Sequence, residues 1–222
     1  MALKYNRILI VAASMATPRA EVKYINTWIY KLVNNYPDLH IIDKSKRGLS
    51  SRALIRESLL EDYDPNLVIM QLGLSDCAPR YLQENALSTK IINNLPGSLK
   101  KTAYYFVKKY KSRRMKNANV NLEAFKKNFE NYIIRAEKKS IDIICLLISP
   151  VGESFKIKNP EIQKAIEAYN NVLVSLDGKY SHFTTVECFT EKTISEYLLA
   201  DGHHVNESAH NIFLNKIAPF LS

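Results

Sequence analysis

The sequence predicts an α/β fold, a three-layer α/β/α sandwich built on a five-stranded parallel sheet, and three observations carry that expectation. Short apolar runs bounded by polar or glycine-containing turns recur along the chain, which is the signature of strands buried on both faces. Between them lie longer stretches with apolar residues at helical spacing, and alternation of the two kinds is what a parallel sheet requires. The chain has 222 residues, 46% hydrophobic and 24% charged, enough for a full core in one domain spanning residues 1–222.

Taken in order, residues 7–13 (RILIVAA) read as a central buried strand. The preceding Lys4 and Arg7 give this start a superficial likeness to a secretion signal. Its apolar core is too short for one, so it reads as part of the folded protein. Residues 21–36 place Tyr24, Ile25, Trp28, Leu32 and Val33 on one helical face. Residues 39–42 form a second strand, 52–60 a short helix and 66–70 a third strand. Leu122, Phe125, Phe129, Tyr132 and Ile133 line another helix before a fourth strand at 141–148, which ends at Ser149-Pro150. Ile162, Ile166, Tyr169, Leu173 and Leu176 repeat the pattern ahead of a weak fifth strand at 183–186, and a final helix covers about 206–220. Aromatic residues at such spacings belong to the core.

The ends of these strands carry the polar motifs, and in open α/β sheets ligands bind at that edge. The first strand runs into Ser14, the second is followed by Gly48, and the third by Gly73-Leu74-Ser75-Asp76-Cys77-Ala78-Pro79-Arg80. Near the far end stands Asp201-Gly202-His203-His204. On a helical turn Asp201 and His204 would share a face, so that the carboxylate accepts from one imidazole nitrogen while the other faces a nucleophile. Singly, each motif also has a plain structural reading. Ser14 is ordinary turn chemistry, Gly48 a turn with positive φ, and Asp201 a possible helix cap, a task for which Asn206 or Ser208 is better placed. Either His203 or His204 could be the base, depending on the turn.

In order and spacing these blocks resemble the SGNH (GDSL-type) hydrolase family, across nearly the whole chain. The resemblance implies a flavodoxin-like sheet, a nucleophilic Ser14 and a paired Asp201 and His204. Two blocks depart from the family pattern: Ala12-Ala13-Ser14-Met15 stands for Gly-Asp-Ser-Leu, and Gly73-Leu74-Ser75-Asp76 for Gly-x-Asn-Asp. The third block resembles a variant associated with bacterial surface-polysaccharide gene clusters. The implied chemistry is acyl transfer, with His204 as general base, Asp201 holding its tautomer, and an oxyanion hole from the Ser14 and Gly48 amides and the Ser75 hydroxyl. Asp76 and Arg80 are expected substrate-binding residues, Arg80 by supplying positive charge to a phosphate or carboxylate. The expected activity is a serine esterase or acyltransferase acting on an O-acyl group, acetyl foremost, of a carbohydrate or lipid-linked surface-polysaccharide precursor. The alternative is a catalytically weak or inactive relative that binds a glycan or partner.

Three cysteines, Cys77, Cys145 and Cys188, are widely separated with no metal-ligand spacing, so neither a metal nor an organic cofactor is expected and a reducing, cytoplasmic setting is. Cys145 reads as a small buried hydrophobe and Cys77 as a bystander. No apolar stretch approaches the roughly 20 residues a transmembrane helix needs. Eight lysines and arginines and no acidic residue lie between Lys100 and Asn119, which accounts for eight of the nine net positive charges. Tyr104, Tyr105, Phe106, Val107 and Tyr110 are interleaved with them. A basic helical insertion at about 82–119 follows, and its stretch from Lys100 to Lys116 could meet an acidic glycan, a phosphate-bearing lipid or the inner membrane face. A solvated basic helix is the plainer reading, and no nucleic-acid-binding motif accompanies the charge.

Overall fold

The computed structural model describes residues 3–79, 87–109 and 118–221. In chain order its elements are β1 (Arg7–Ala12), α1 (Trp28–Asn35), β2 (His40–Asp43), α2 (Ala53–Arg56), α3 (Leu59–Tyr63), β3 (Leu67–Gln71), α4 (Leu74–Cys77), α5 (Leu87–Asn93), α6 (Gly97–Lys109), α7 (Leu122–Glu137), β4 (Asp142–Leu146), α8 (Glu153–Lys156), α9 (Ile162–Asp177), β5 (Phe183–Val186) and α10 (Glu207–Ile217). The five strands are parallel, in the order β2-β1-β3-β4-β5, the flavodoxin-like arrangement.

Alternation along the strands divides the core in two. Ile8, Ile10 and Ala12 of β1 join Leu67 and Ile69 of β3 on one face, under Trp28, Ile29 and Leu32 of α1 and Phe213 and Ile217 of α10. Leu9 and Val11 join Val68 and Met70 on the other, under Leu54, Phe125, Phe129, Tyr132, Ile166 and Leu173. That second face is covered by α2, α3, α7 and α9. Side chains of successive strand residues point to opposite faces, so uninterrupted apolar strands require helices on both sides.

Three boundaries differ from the sequence expectation, each for a local reason. The helix expected over 21–36 starts only at Trp28, because Thr27 is extended and its hydroxyl accepts from the Tyr30 amide as an N-cap. Tyr24 and Ile25, ahead of the helix, are exposed, as is Val33 on its outer side, and only Trp28 and Leu32 of that expected face reach the core. The helix expected over 52–60 is split into α2 and α3, since Glu57 takes an extended conformation at the C-cap of α2. At the C-terminus, α10 gives way to a 3-10 turn at Ala218–Phe220, where Pro219 has no amide to continue the ladder. Asn206, not Asp201, caps α10, accepting from the Ala209 amide at 3.2 Å.

The expected basic insertion falls on α5 and α6, which pack together through a Tyr104 hydroxyl bond to Asn93 Oδ1 at 3.0 Å. The rest of the expected insertion, residues 82–86 and the basic stretch 110–117, lies outside the described residues. Among the described residues, no helix is long and apolar enough to cross a membrane.

A buried histidine joins the two helices on the first face. His210 of α10 is 1% exposed, and its Nδ1 accepts from the Trp28 backbone amide at 3.2 Å. The Trp28 indole in turn donates to Gln71 Oε1 at 3.2 Å. Burial, with Lys31 and Arg19 adding to it, pushes the His210 imidazole down to about 4. Its folded value therefore lies below that of the unfolded chain, so the contribution is complete above about pH 6.5 and is lost as the pH falls through the window toward 4. The expected size is up to about 3 kcal/mol. Denaturant unfolding across pH 4–7 is expected to show this loss, and His210→Gln, which keeps an acceptor but does not titrate, to flatten it. An equally steep profile in the variant would refute the assignment.

Candidate active site

β1 delivers Ser14 to the carboxyl edge of the sheet. The ladder continues one residue past the strand, where the Ala13 amide donates to Gln71 O at 2.9 Å. The chain then turns: the Ala16 amide donates to Ala13 O at 3.2 Å and the Thr17 hydroxyl to Ser14 O at 3.0 Å. Ser14 is left half-buried with its side chain free to face the edge.

The Asp201 to His204 segment arrives from the other end of the chain. The expected helical turn is absent. Instead, a bridge between Leu198 and Val205 closes a tight loop, within which the Leu199 amide donates to His204 O at 2.7 Å. Gly202 has φ +75°, and a Cβ there would come 3.0 Å from the Phe155 amide nitrogen, so glycine is required. Asp201 Oδ1 accepts from the amides of His203 at 3.1 Å and His204 at 2.9 Å, the local side-chain-to-backbone turn that aspartate favours. This pins the carboxylate, and its Oδ2 lies 2.6 Å from His204 Nδ1.

His204 Nε2 then lies 3.0 Å from Ser14 Oγ. Of the two histidines left open by the sequence, His204 is the one aimed at Ser14. His203 stacks beside it, 4.5 Å from the Phe155 ring centroid and 3.9 Å from that of His204. Burial pushes the His204 imidazole down, as do His203 and Arg19, while the Asp201 bond opposes them; the net shift is below the ordinary 6.5. Burial pushes the Asp201 carboxyl up, but the bonds from the His204 ring and from the two amides outweigh it and hold it far below the usual carboxylate range. At neutral pH the group beside Ser14 is thus a neutral imidazole next to an ionised carboxylate, able to accept a hydroxyl proton.

A cleft of about 340 Å³ opens over this group. Gly48, at φ +73°, and Ser75 line it together with Ser14 and His204. Gly73 makes the position of Ser75 possible. Its φ is +119°, and a Cβ would meet Ile148 at 2.5 Å, so only glycine lets β3 turn directly into α4 here. Arg19, Arg47, Phe155 and His203 complete the polar and aromatic wall. Arg19, Arg47 and His203 sit in loops and Phe155 in the four-residue α8, where no periodicity marks a residue as facing a site. Among the described cleft residues none carries a carboxamide, and the nearby Asn119 spends an amide N–H on Ser75 O at 3.0 Å.

Asp76 corrects an expectation. It is fully buried, and its Oδ1 accepts from the Ser51 amide at 2.8 Å and hydroxyl at 2.6 Å, an internal tie between α4 and the loop before α2 instead of a substrate contact. Asn128 of α7 donates to the same Ser51 hydroxyl at 2.9 Å. Arg80 lies outside the described residues. Cys77 is buried next to Asp76, and burial above all pushes its thiol up, which removes it as a nucleophile. Asp201, His203 and His204 offer three ligand atoms within 4.8 Å of one another. Both ring nitrogens of His204 already face partners, Ser14 and Asp201, so a metal ion would have to break the arrangement described above.

No family model matches the chain, and no curated protein matches it in sequence. Solved structures do match it in fold. A lipase/acylhydrolase from Enterococcus faecalis superposes with a TM-score of 0.64 at 14% identity, over 98% of this chain and 97% of that one. A catalytic mutant of an acetylxylan esterase from Geobacillus stearothermophilus gives 0.63 at 14% identity over 97% and 93%. A psychrotrophic esterase from Pseudoalteromonas sp. gives 0.60 at 16% over 96% and 95%. The chain therefore has the fold of solved lipases and esterases, among them a lipolytic protein of the G-D-S-L family from Desulfitobacterium hafniense that superposes with a TM-score of 0.63 at 13% identity over 97% of this chain and 99% of that one.

The electrostatics set a direct expectation. In an NMR titration, His204 should protonate below pH 6.5, and Asp201→Asn should move its midpoint further down, because the bond that favours the imidazolium is lost. A midpoint that rises in the variant would contradict this account of the site.

Proposed function

We propose that the chain is an SGNH-type serine hydrolase or acyltransferase that cleaves or moves an O-acyl group, acetyl foremost, on a carbohydrate or surface-polysaccharide precursor. One observation carries the reading: Ser14 Oγ lies 3.0 Å from His204 Nε2 while His204 Nδ1 lies 2.6 Å from Asp201 Oδ2, at the carboxyl edge of a parallel sheet and inside a cleft. In this mechanism Ser14 attacks the ester carbonyl as its proton passes to His204 Nε2, and Asp201 stabilises the imidazolium. Collapse of the tetrahedral intermediate breaks the carbon–oxygen bond and His204 returns the proton to the departing alcohol. Water or a sugar hydroxyl, deprotonated by His204, then attacks acyl-Ser14, which gives hydrolysis or transfer respectively. The Ser14 and Gly48 amides and the Ser75 hydroxyl are the oxyanion donors in this reading.

Among the described residues the cleft holds no carboxamide, which favours slow or specialised turnover, since removing one oxyanion donor costs about 100-fold to 1,000-fold in a serine protease. The same observation is what supports the second reading, a glycan-binding relative with little catalysis. Turnover of p-nitrophenyl acetate separates them. Ser14→Ala and His204→Ala, each shown to be folded, are expected to lose at least about 1,000-fold of the parent rate. Parent activity that persists in both variants would sink the serine mechanism.

We further propose that α5 and α6 dock the protein on an anionic membrane surface. Leu87, Ile91, Leu99, Tyr105 and Phe106 are exposed on this pair beside Lys90, Lys100 and Lys101, with no acidic residue from 87 to 119. Exposed apolar side chains next to uncompensated positive charge suit an interfacial helix. The protein is expected to sediment with vesicles of phosphatidylcholine and phosphatidylglycerol but not of phosphatidylcholine alone, and Leu99→Glu with Phe106→Glu to abolish this. Equal recovery with both vesicle types would overturn it.

A further inference from the structure

Two arginines stand in the wall of the cleft, and the serine-ester chemistry proposed above gives neither a task. Arg19 is half-buried and Arg47 exposed, and both line the cleft with Ser14, Gly48 and Ser75. Each spends one N–H on the same short segment. Arg19 Nη2 donates to Ser14 O at 3.1 Å, and Arg47 Nη2 donates to Pro18 O at 2.5 Å. These bonds fix where the guanidinium groups sit and leave further donors on each planar fork.

Their charges are not neutralised in place. Among the described residues, neither guanidinium has a carboxylate within ion-pair distance. Burial disfavours the Arg19 charge most; Asp201 and Glu21 act on it favourably and Arg47 unfavourably. Asp201 is already committed to His204 and to two backbone amides. The two cations therefore repel each other across a small cleft, and an anion placed between them would relieve that repulsion while accepting charge-assisted bonds from both. A neutral ester alone would use neither.

We infer that Arg19 and Arg47 form an anion-recognition pair, and that the molecule bound next to Ser14 carries a phosphate or carboxylate besides its O-acyl group. The substrate class is then an acylated sugar phosphate or an acylated uronate. A cleft of about 340 Å³ is within the range that takes such small molecules. The pair is a specificity device: it selects by the charge on the alcohol portion and takes no part in the proton transfers between Ser14 and His204. This inference rests on the serine-ester reading for the identity of the reacting group, but its charge preference is measurable without turnover.

The test uses the full chain carrying Ser14→Ala, titrated by calorimetry with glucose, glucose 6-phosphate and glucuronate. One or both anionic sugars are expected to bind at least about tenfold more tightly than glucose, and whichever does so distinguishes phosphate from carboxylate. Adding Arg19→Gln and Arg47→Gln is expected to bring the anionic sugars to the level of glucose. Should the double variant fail to fold, each single substitution is expected to shrink the preference by several-fold. Equal binding of the three sugars, or a preference that survives loss of both guanidinium groups, would overturn the inference.

A second arm compares acetate release by the parent from the mono-O-acetylated forms of the same sugars. Reading it as the ratio of anionic to neutral substrate removes any effect of Arg19 on the His204 imidazole. Ser14-dependent turnover without a charge preference refutes the arginine pair alone. Selective binding without Ser14-dependent turnover refutes the serine-ester reading and leaves the pair standing.

Discussion

Burial of both faces of the parallel sheet is the constraint from which the other arrangements follow. The central strands β1 and β3 have no polar residue between Ile8 and Ala12 or between Leu67 and Met70, so neither face can meet water and each must be roofed by helices. Right-handed crossovers then return every connection to the same end, and all the loops that follow strands gather along one edge. Ser14, Gly48 and Ser75 are neighbours in the cleft for that reason, although they follow three different strands. A charge placed at Ile10 or Ile69 would disturb this layout before it disturbed any chemistry, because both positions are fully buried and an unpaired charge there is costly.

What could be read from the sequence follows the same division. β1, β3 and β4 were legible because each is a largely apolar run stopped by turn residues, whereas the edge strands β2 and β5 carry polar residues and read more weakly; α7 and α9 were legible because their apolar spacing repeats over four turns. The first helix was misjudged: Tyr24, Ile25 and Val33 fit the period but lie on the exposed side or ahead of the Thr27 cap, and period alone does not locate a cap. Asp201 and His204 were legible as a short-range pair, yet the reason they meet is a glycine-dependent loop bridged from Leu198 to Val205, not the helical turn that spacing suggested. Asp76 looked like a site residue because it follows a strand end, and only packing reveals that it turns inward to Ser51. Arg19 and Arg47 were invisible as cleft residues, since a loop residue's direction depends on contacts that no local pattern encodes.

The polar groups in the interior divide into those that hold the frame and those that stay available. Asp76, Ser51 and Asn128 tie α4, the loop before α2, and α7 together through short hydrogen bonds. His210, Trp28 and Gln71 do the same on the opposite face, between α10, α1 and the end of β3. Both sets lie just behind the carboxyl edge, so the loops that carry Ser14 and Ser75 rest on rigid supports. Such support matters because a site held to within a fraction of an ångström needs neighbours whose own positions are fixed.

The bond between Ser14 and His204 spans 190 positions of the chain, and this has a consequence during biosynthesis. Ser14 is synthesised before β2, whereas the loop carrying its partner follows only after every strand of the sheet has been completed. A nascent chain can thus acquire much of its core while the serine still lacks its imidazole partner. Pairing of the two side chains is deferred until the loop of residues 201–205 is in place, so under the proposed serine mechanism chemistry at Ser14 would report on that closure, and a ribosome-stalled fragment that ends before residue 201 presents the serine without its imidazole partner.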